Sequence, residues 1–169
     1  MQVPVAYEQA MAGKYPEQVA IAIARDAQGK YNPITLGWTM ITSHEPPLMA
    51  ISIGHTRYSL EVIRHAREFV VSFPTSAMAS EALLYGTKSG RDLDKLAASG
   101  ANTQPAGAID SVLLTDAVAN FECKLVSELE TGDHVLFVGQ VVAAHMNEDR
   151  TAGRLYSLGD DRLGGVTPD

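Results

Sequence analysis

The stretch VANFECKLVSELETGDHVLFVGQVVAAHM, residues 118–146, decides the fold class. Its halves, Val118 to Leu129 and His134 to Met146, read as long strands. Glu130-Thr131-Gly132-Asp133 between them has the length and the glycine of a hairpin loop. On the first strand Phe121, Cys123 and Leu125 share the apolar face, which makes Cys123 a buried structural thiol rather than a nucleophile.

Upstream of the hairpin, Gln18 to Arg25 reads as a strand followed by a polar turn from Asp26 to Lys30. Ile34 to Ser43 alternates as one strand, with Ile34, Leu36, Trp38 and Met40 on one face and Thr35, Gly37 and Thr39 on the other. Pro46 and Pro47 impose an extended turn before the strand Leu48 to Gly54. On that strand Met49, Ile51 and Ile53 point one way, while Ala50, Ser52 and Gly54 leave the opposite face nearly bare. A helix follows with Ser59 as its N-cap, Glu61 in the first turn, and Leu60, Ile63 and Ala66 in a stripe. Glu68 to Phe73 is a short strand stopped by Pro74. Helices over Ala77 to Tyr85 and Asp92 to Ala98 flank Gly86 to Arg91, and Gly100 to Gly107 reads as a loop. From Asn147 onward the chain is a Gly- and Asp-rich arm, either ordered or frayed. Many strands with few helices predict a mainly β domain over residues 1–169, a barrel or sandwich rather than a doubly wound sheet.

At 169 residues with 46% apolar and 20% charged side chains, the chain has the size and balance of one globular domain. No apolar run approaches the roughly 18 residues of a spanning helix. Met1 to Gly13 lacks the basic start and apolar stretch of a signal peptide, so the expectation is a cytoplasmic protein without a membrane partner. One cysteine excludes a disulfide framework and a cysteine-rich metal site. The net charge of −7 opposes nucleic-acid binding, which draws its affinity from neutralised phosphates. Charge is unevenly spread: residues 57–95 hold six of the 13 basic residues (Arg57, Arg64, Arg67, Lys88, Arg91, Lys95) and five of the 20 acidic ones. That segment suits a small anion, or is an ordinary set of mixed helix faces.

The five histidines show no metal-ligand spacing, and there is no G-x-S-x-G elbow, P-loop or G-x-G-x-x-G turn. Two segments could hold a phosphate. The strand Leu48 to Gly54 runs through Arg57 into a helix start, where free N–H groups attract anions and the bare face would admit a flat ring. Lys88-Ser89-Gly90-Arg91 offers cations, a hydroxyl and a flexible glycine, unless it is simply a surface turn. Trp38 reads as a core indole before a ligand contact, Thr39 to Ser43 supply hydroxyls, and Asp133-His134 is turn chemistry or a histidine at a barrel mouth.

Together these pieces resemble the flavin reductase-like, FMN-binding split-barrel family. The resemblance is carried in order by Asn32-Pro33-Ile34-Thr35-Leu36-Gly37-Trp38, Ser43 with Pro46-Pro47, Ser52-Ile53, Tyr58 to Ile63, Ser89-Gly90-Arg91-Asp92-Leu93-Asp94-Lys95, Phe121-Glu122-Cys123, Gly132-Asp133-His134 and Phe137 to Val141. Gln140, where glutamate is frequent, and the turn at His44-Glu45 depart from its pattern. The resemblance implies an antiparallel Greek-key split barrel with peripheral helices, a core over about 18–146 and a C-terminal arm over 147–169. It implies a homodimer with FMN, ahead of FAD, in a groove near the dimer interface. Transferred by position, the ring lies along Trp38, Thr39, Met40, Ile41, Thr42 and Ser43 and against Ser52, Ile53 and Gly54. Arg57, Ser59, Lys88, Ser89 and Gly90 are implied at the phosphate, and His134 as the catalytic contact to a nicotinamide or a second flavin. The implied activity is NADH- or NADPH-dependent flavin reduction serving an oxygenase or redox-protein partner, with no ribose-selecting motif to choose the donor. The alternatives are a flavoredoxin-like electron carrier without a nicotinamide site and a binding module without catalysis.

Overall fold

Strand Ala20–Arg25 is buried on both faces, and its composition shows how: Ala20, Ala22 and Ala24 face one hydrophobic cluster while Ile21 and Ile23 face another. This two-sided strand organises the computed structural model, which describes residues 1–160 and 162–166. In chain order the first half holds helix α1 (Tyr7–Ala12), strands β1 (Glu17–Gln18), β2 (Ala20–Arg25), β3 (Tyr31–Leu36), β4 (Thr39–His44) and β5 (Pro47–Gly54), helix α2 (Tyr58–Ala66) and β6 (Glu68–Phe73). The second half holds helices α3 (Ala79–Thr87) and α4 (Lys95–Ser99), then β7 (Thr103–Pro105), β8 (Val112–Leu114), β9 (Ala119–Thr131), β10 (His134–Met146), β11 (Arg154–Gly159) and β12 (Arg162–Val166).

Seven strands form one antiparallel sheet in the order β3-β2-β6-β9-β10-β5-β4. Strands β3 and β4 are its two edges, yet only Gly37 and Trp38 separate them in the chain. With consecutive Cα atoms about 3.8 Å apart, Leu36 and Thr39 lie within about 11 Å of each other. The sheet therefore curls so that its two edges approach at this link, and β3 and β4 form no ladder with each other among the described residues. Met49, Ile51 and Ile53 of β5, Phe69 and Val71 of β6, Cys123 of β9 and Val135 and Phe137 of β10 fill one cluster, closed by Leu60, Val62 and Ile63 of α2. Ile21, Ile23 and Val70 pack on the opposite face with Met78, Ala82 and Tyr85, the last two from α3.

The strand Glu68–Phe73 and the small-residue face of β5 form as expected, and the long hairpin forms with a shorter loop, Gly132-Asp133, because Glu130 and Thr131 pair within β9. Several local expectations change, among them the helix expected over Asp92 to Ala98, which runs Lys95–Ser99 with Asp94 at its N-cap. The alternation from Ile34 to Ser43 hides a break, because β3 pairs with β2 and β4 with β5. Gly37 fits there by close approach: a Cβ would lie 2.8 Å from the Glu17 carboxylate. Trp38, at this break, is 46% exposed and so is no core indole. Helix α2 is capped by Arg57, not Ser59; the Ser59 hydroxyl is buried inside the helix and accepts Asn32 Nδ2 at 2.8 Å. Residues 103–105, expected in a loop, pair with β8, and the arm after Asn147 is ordered where β11 joins β1 to β12.

Candidate functional site

The site is built on the bare face of β5. Pairing with β10 sets His134 opposite Gly54 and Leu136 opposite Ser52, so those two side chains border a face on which β5 itself carries little bulk. The link between the edge strands supplies one wall: Trp38 O accepts the Ser52 N–H at 3.0 Å, and the indole meets the His134 ring with centroids 4.8 Å apart. Three depressions follow this floor. One of about 110 Å³ lies between the start of α2 and the α3–α4 connection. A second of about 170 Å³, over Ser52 and Gly54, shares Arg57 with it. A third of about 260 Å³, beside Thr39, Met40 and Ala50, shares Trp38 and Ser52 with the second. Together they form a trough with a polar end and a flat middle.

The polar end gathers cations that have no carboxylate. Arg91 is paired with Glu61, and Arg64 with Glu128 and Glu130. Arg57, Lys88 and Lys95 line the small pocket, and none of them makes an ion pair among the described residues. Lys95 is only 3% exposed, and its Nζ donates to Tyr85 O at 3.2 Å. Burial, and secondarily the charge of Arg57, lower its pKa to about 8. Because Ser59 Oγ accepts from Asn32, its own proton remains to be donated. Gly90 is required by close approach, since a Cβ there would fall 2.0 Å from Asn32 Oδ1. Asn32 is thus hydrogen-bonded to one arm of the pocket, α2, and packs closely against the other at Gly90.

At the open side, His134 Nδ1 lies 2.7 Å from Asp133 Oδ1. The His134 hydrogen bond and charge hold the Asp133 carboxyl below its ordinary range. A Cβ at Gly54 would come 3.4 Å from His134 Nε2, so the imidazole overhangs the bare floor.

The sequence-expected residues divide along this geometry. Arg57, Ser59, Lys88, Ser89 and Gly90 share the polar pocket, while Trp38, Ser52, Gly54 and His134 share the middle depression. Ile53 lines the middle as well, although its side chain is buried in the core. Thr39 and Met40 line the third depression, with Thr39 Oγ1 donating to Ala50 O at 2.9 Å. Ile41 and Ser43 line instead a neighbouring apolar cleft of about 790 Å³ that contacts the trough at Gln18, Thr39 and Met40, whereas Thr42 lines none of these spaces. Lys95 lines the same polar pocket although the sequence does not place it at the phosphate. Its signals in the sequence are its membership of the basic segment 57–95 and its place at the end of the Ser89 to Lys95 segment, and its burial runs against the habit of lysine. Among the described residues no group of His, Cys, Asp and Glu could hold a metal ion, and no helix is long and apolar enough to cross a membrane.

The structure thus joins a flat trough to a cationic pocket on one curled antiparallel sheet. The chain belongs to the flavin reductase like domain family, whose model matches residues 11–162. Over 113 residues it is 34% identical to an uncharacterized protein of Archaeoglobus fulgidus, a match covering 67% of this chain and 64%, less than two thirds, of that one. Over 139 residues it is 30% identical to the NADH-dependent FMN reductase AsuE2 of Streptomyces nodosus subsp. asukaensis, covering 80% of this chain and 72% of the relative. Among solved structures, the FMN-binding protein from Thermus thermophilus matches with a TM-score of 0.84 at 27% identity, over 100% of this chain and 95% of that one.

Proposed function

We propose that this chain binds FMN in the trough and acts as a flavin reductase with NADH or NADPH as the donor. The observation that carries the reading is the convergence of Arg57, Lys88 and Lys95, without a carboxylate, at one end of a floor bared by Ala50, Ser52 and Gly54. Lys95 leaves buried positive charge uncompensated until an anion enters, Arg57 and Lys88 stand exposed at the same pocket, and a helix start adds free N–H groups. Arg57, Lys88, Ser89, Lys95 and the Ser59 hydroxyl would hold the phosphate, and the floor would carry the ring. When bound, FMN supplies the two-electron redox chemistry. The residues of the chain orient it and shield it: Trp38 walls one side, and His134, steadied by Asp133, stands where a nicotinamide would approach. No side-chain nucleophile is needed.

The NADH-dependent FMN reductase among the relatives supports a nicotinamide donor. We read the curled, open sheet as a split barrel, and the exposed Met40, Ile41, Val142 and Met146 beside the apolar cleft as the contact with a second copy of the chain. An oxygenase or a redox protein would take up the electrons.

The test is an anaerobic absorbance scan of the protein loaded with FMN, before and after NADH or NADPH. Bleaching within the time of turnover supports the reductase and identifies the donor. Bands that bleach only with dithionite replace it with an electron carrier, and absence of FMN binding removes the flavin altogether.

A further inference from the structure

Lys95 is set apart from the other cations of the pocket by its enclosure. At 3% exposure it is almost closed off from solvent, and its one hydrogen bond among the described residues goes to the Tyr85 carbonyl. No carboxylate pairs with it among the described residues. From the start of α2 come Arg57 and Tyr58, and from α3 and the turn after it come Tyr85, Lys88 and Ser89. The Tyr85 phenol is engaged with Ser99 Oγ at 2.6 Å. The carboxylate on its own element, Asp94, is spent in capping α4 by accepting the Ala97 N–H. A lysine so placed is charged at a cost while the pocket is empty. A phosphate changes the balance by offering acceptors to the remaining N–H groups and offsetting the charge of Arg57.

We propose that Lys95 couples occupancy of this pocket to proton uptake, so that a phosphorylated flavin is held near neutral pH and let go as the solution turns alkaline. The proposal rests on the reading of the pocket as a flavin phosphate site. The sign follows from linkage. The occupied pocket requires the ammonium form, whereas in the empty pocket Lys95 loses its proton near pH 8. Above that pH, binding must draw a proton from solution, and affinity falls by up to tenfold per pH unit. The consequence is specific to the phosphate: riboflavin, which has the same ring and no phosphate, would not report on Lys95.

The experiment measures the dissociation constants of FMN and riboflavin for the whole chain at pH 7 and pH 9, with calorimetry at pH 8 in two buffers of different ionisation heat. The expected result is an FMN dissociation constant roughly tenfold larger at pH 9 than at pH 7, no such change for riboflavin, and net proton uptake on FMN binding. Lys95→Arg, which keeps a cation at every pH tested, is expected to bind FMN without this dependence. A flat FMN profile, or parallel profiles for the two flavins, overturns the proposal while leaving the flavin site in place. Equal affinities for FMN and riboflavin at pH 7, or binding of neither, overturn it together with the reading of the pocket.

Discussion

Trp38 and His134 stand over the same floor with ring centroids 4.8 Å apart and planes tilted by 42°. One belongs to the link that carries the chain between the two edges of the sheet; the other opens β10, directly opposite Gly54. The closing of the sheet and the register of one hairpin therefore set the open face of the trough together. If that face receives a nicotinamide, His134→Ala raises the KM for NADH or NADPH and slows flavin reduction, with FMN affinity changed little. Stopped-flow reduction beside an FMN titration separates these effects. An unchanged reduction rate and KM would release His134 from this role.

The polar end predicts a contrast between neighbouring arginines. Arg57→Ala removes a cation without a carboxylate and is expected to weaken FMN binding by about 1.5 kcal/mol, or roughly tenfold. Arg91→Ala removes one already paired with Glu61 and is expected to leave FMN affinity within about twofold. Flavin-fluorescence titration reads both, and equal losses would mean that the pocket does not select its cations by their pairing.

Much of this arrangement is legible in the sequence because period-2 patterning survives even where the partner strand is unknown. Met49, Ile51 and Ile53 against Ala50, Ser52 and Gly54 disclose the bare floor directly, and Glu130 to Asp133 disclose the hairpin. Trp38 does not disclose its exposure, since its alternation with Leu36 and Met40 continues across a point where the chain changes partners. Ser59 matches an N-cap by residue type, but its hydroxyl is taken by Asn32, 27 residues earlier. Burial of Lys95 depends on the close approach of α3, α4 and the start of α2, a tertiary event without a local pattern.

Stability should fall in acid through Glu122. Its carboxylate is wholly buried and accepts the N–H groups of Gly107, Ala108 and Ile109 as well as a contact at 2.7 Å from His145 Nε2. Burial alone would raise its pKa, but the Gly107 and Ala108 N–H groups and His145 outweigh it and hold the carboxyl below its ordinary range. A depressed carboxyl contributes stability above the unfolded value of about 4.3, and that contribution is lost as pH falls through the folded value. Glu122→Gln is expected to cost about 2–3 kcal/mol at pH 7 and to flatten the acid limb of the melting profile. A variant as stable as the parent at pH 7 would show that the loop at 107–109 does not depend on this carboxylate.

Cys123 is expected to be inert in the folded protein. It is fully buried, and burial, with a smaller contribution from Glu122, pushes its thiol up to about 12. An aromatic disulfide reagent at pH 8 should label it only on the timescale of unfolding, and at once in denaturant. Rapid labelling of the native chain would contradict the packing around β9.

The most direct test of the account is a crystal structure of the chain grown with FMN. The expected density places the phosphate among Arg57, Lys88, Ser89 and Lys95 and the ring over Ser52 and Gly54, beside Trp38. A flavin seated instead in the apolar cleft lined by Phe73 and Phe121, or a phosphate without contact to Arg57 and Lys95, would contradict it.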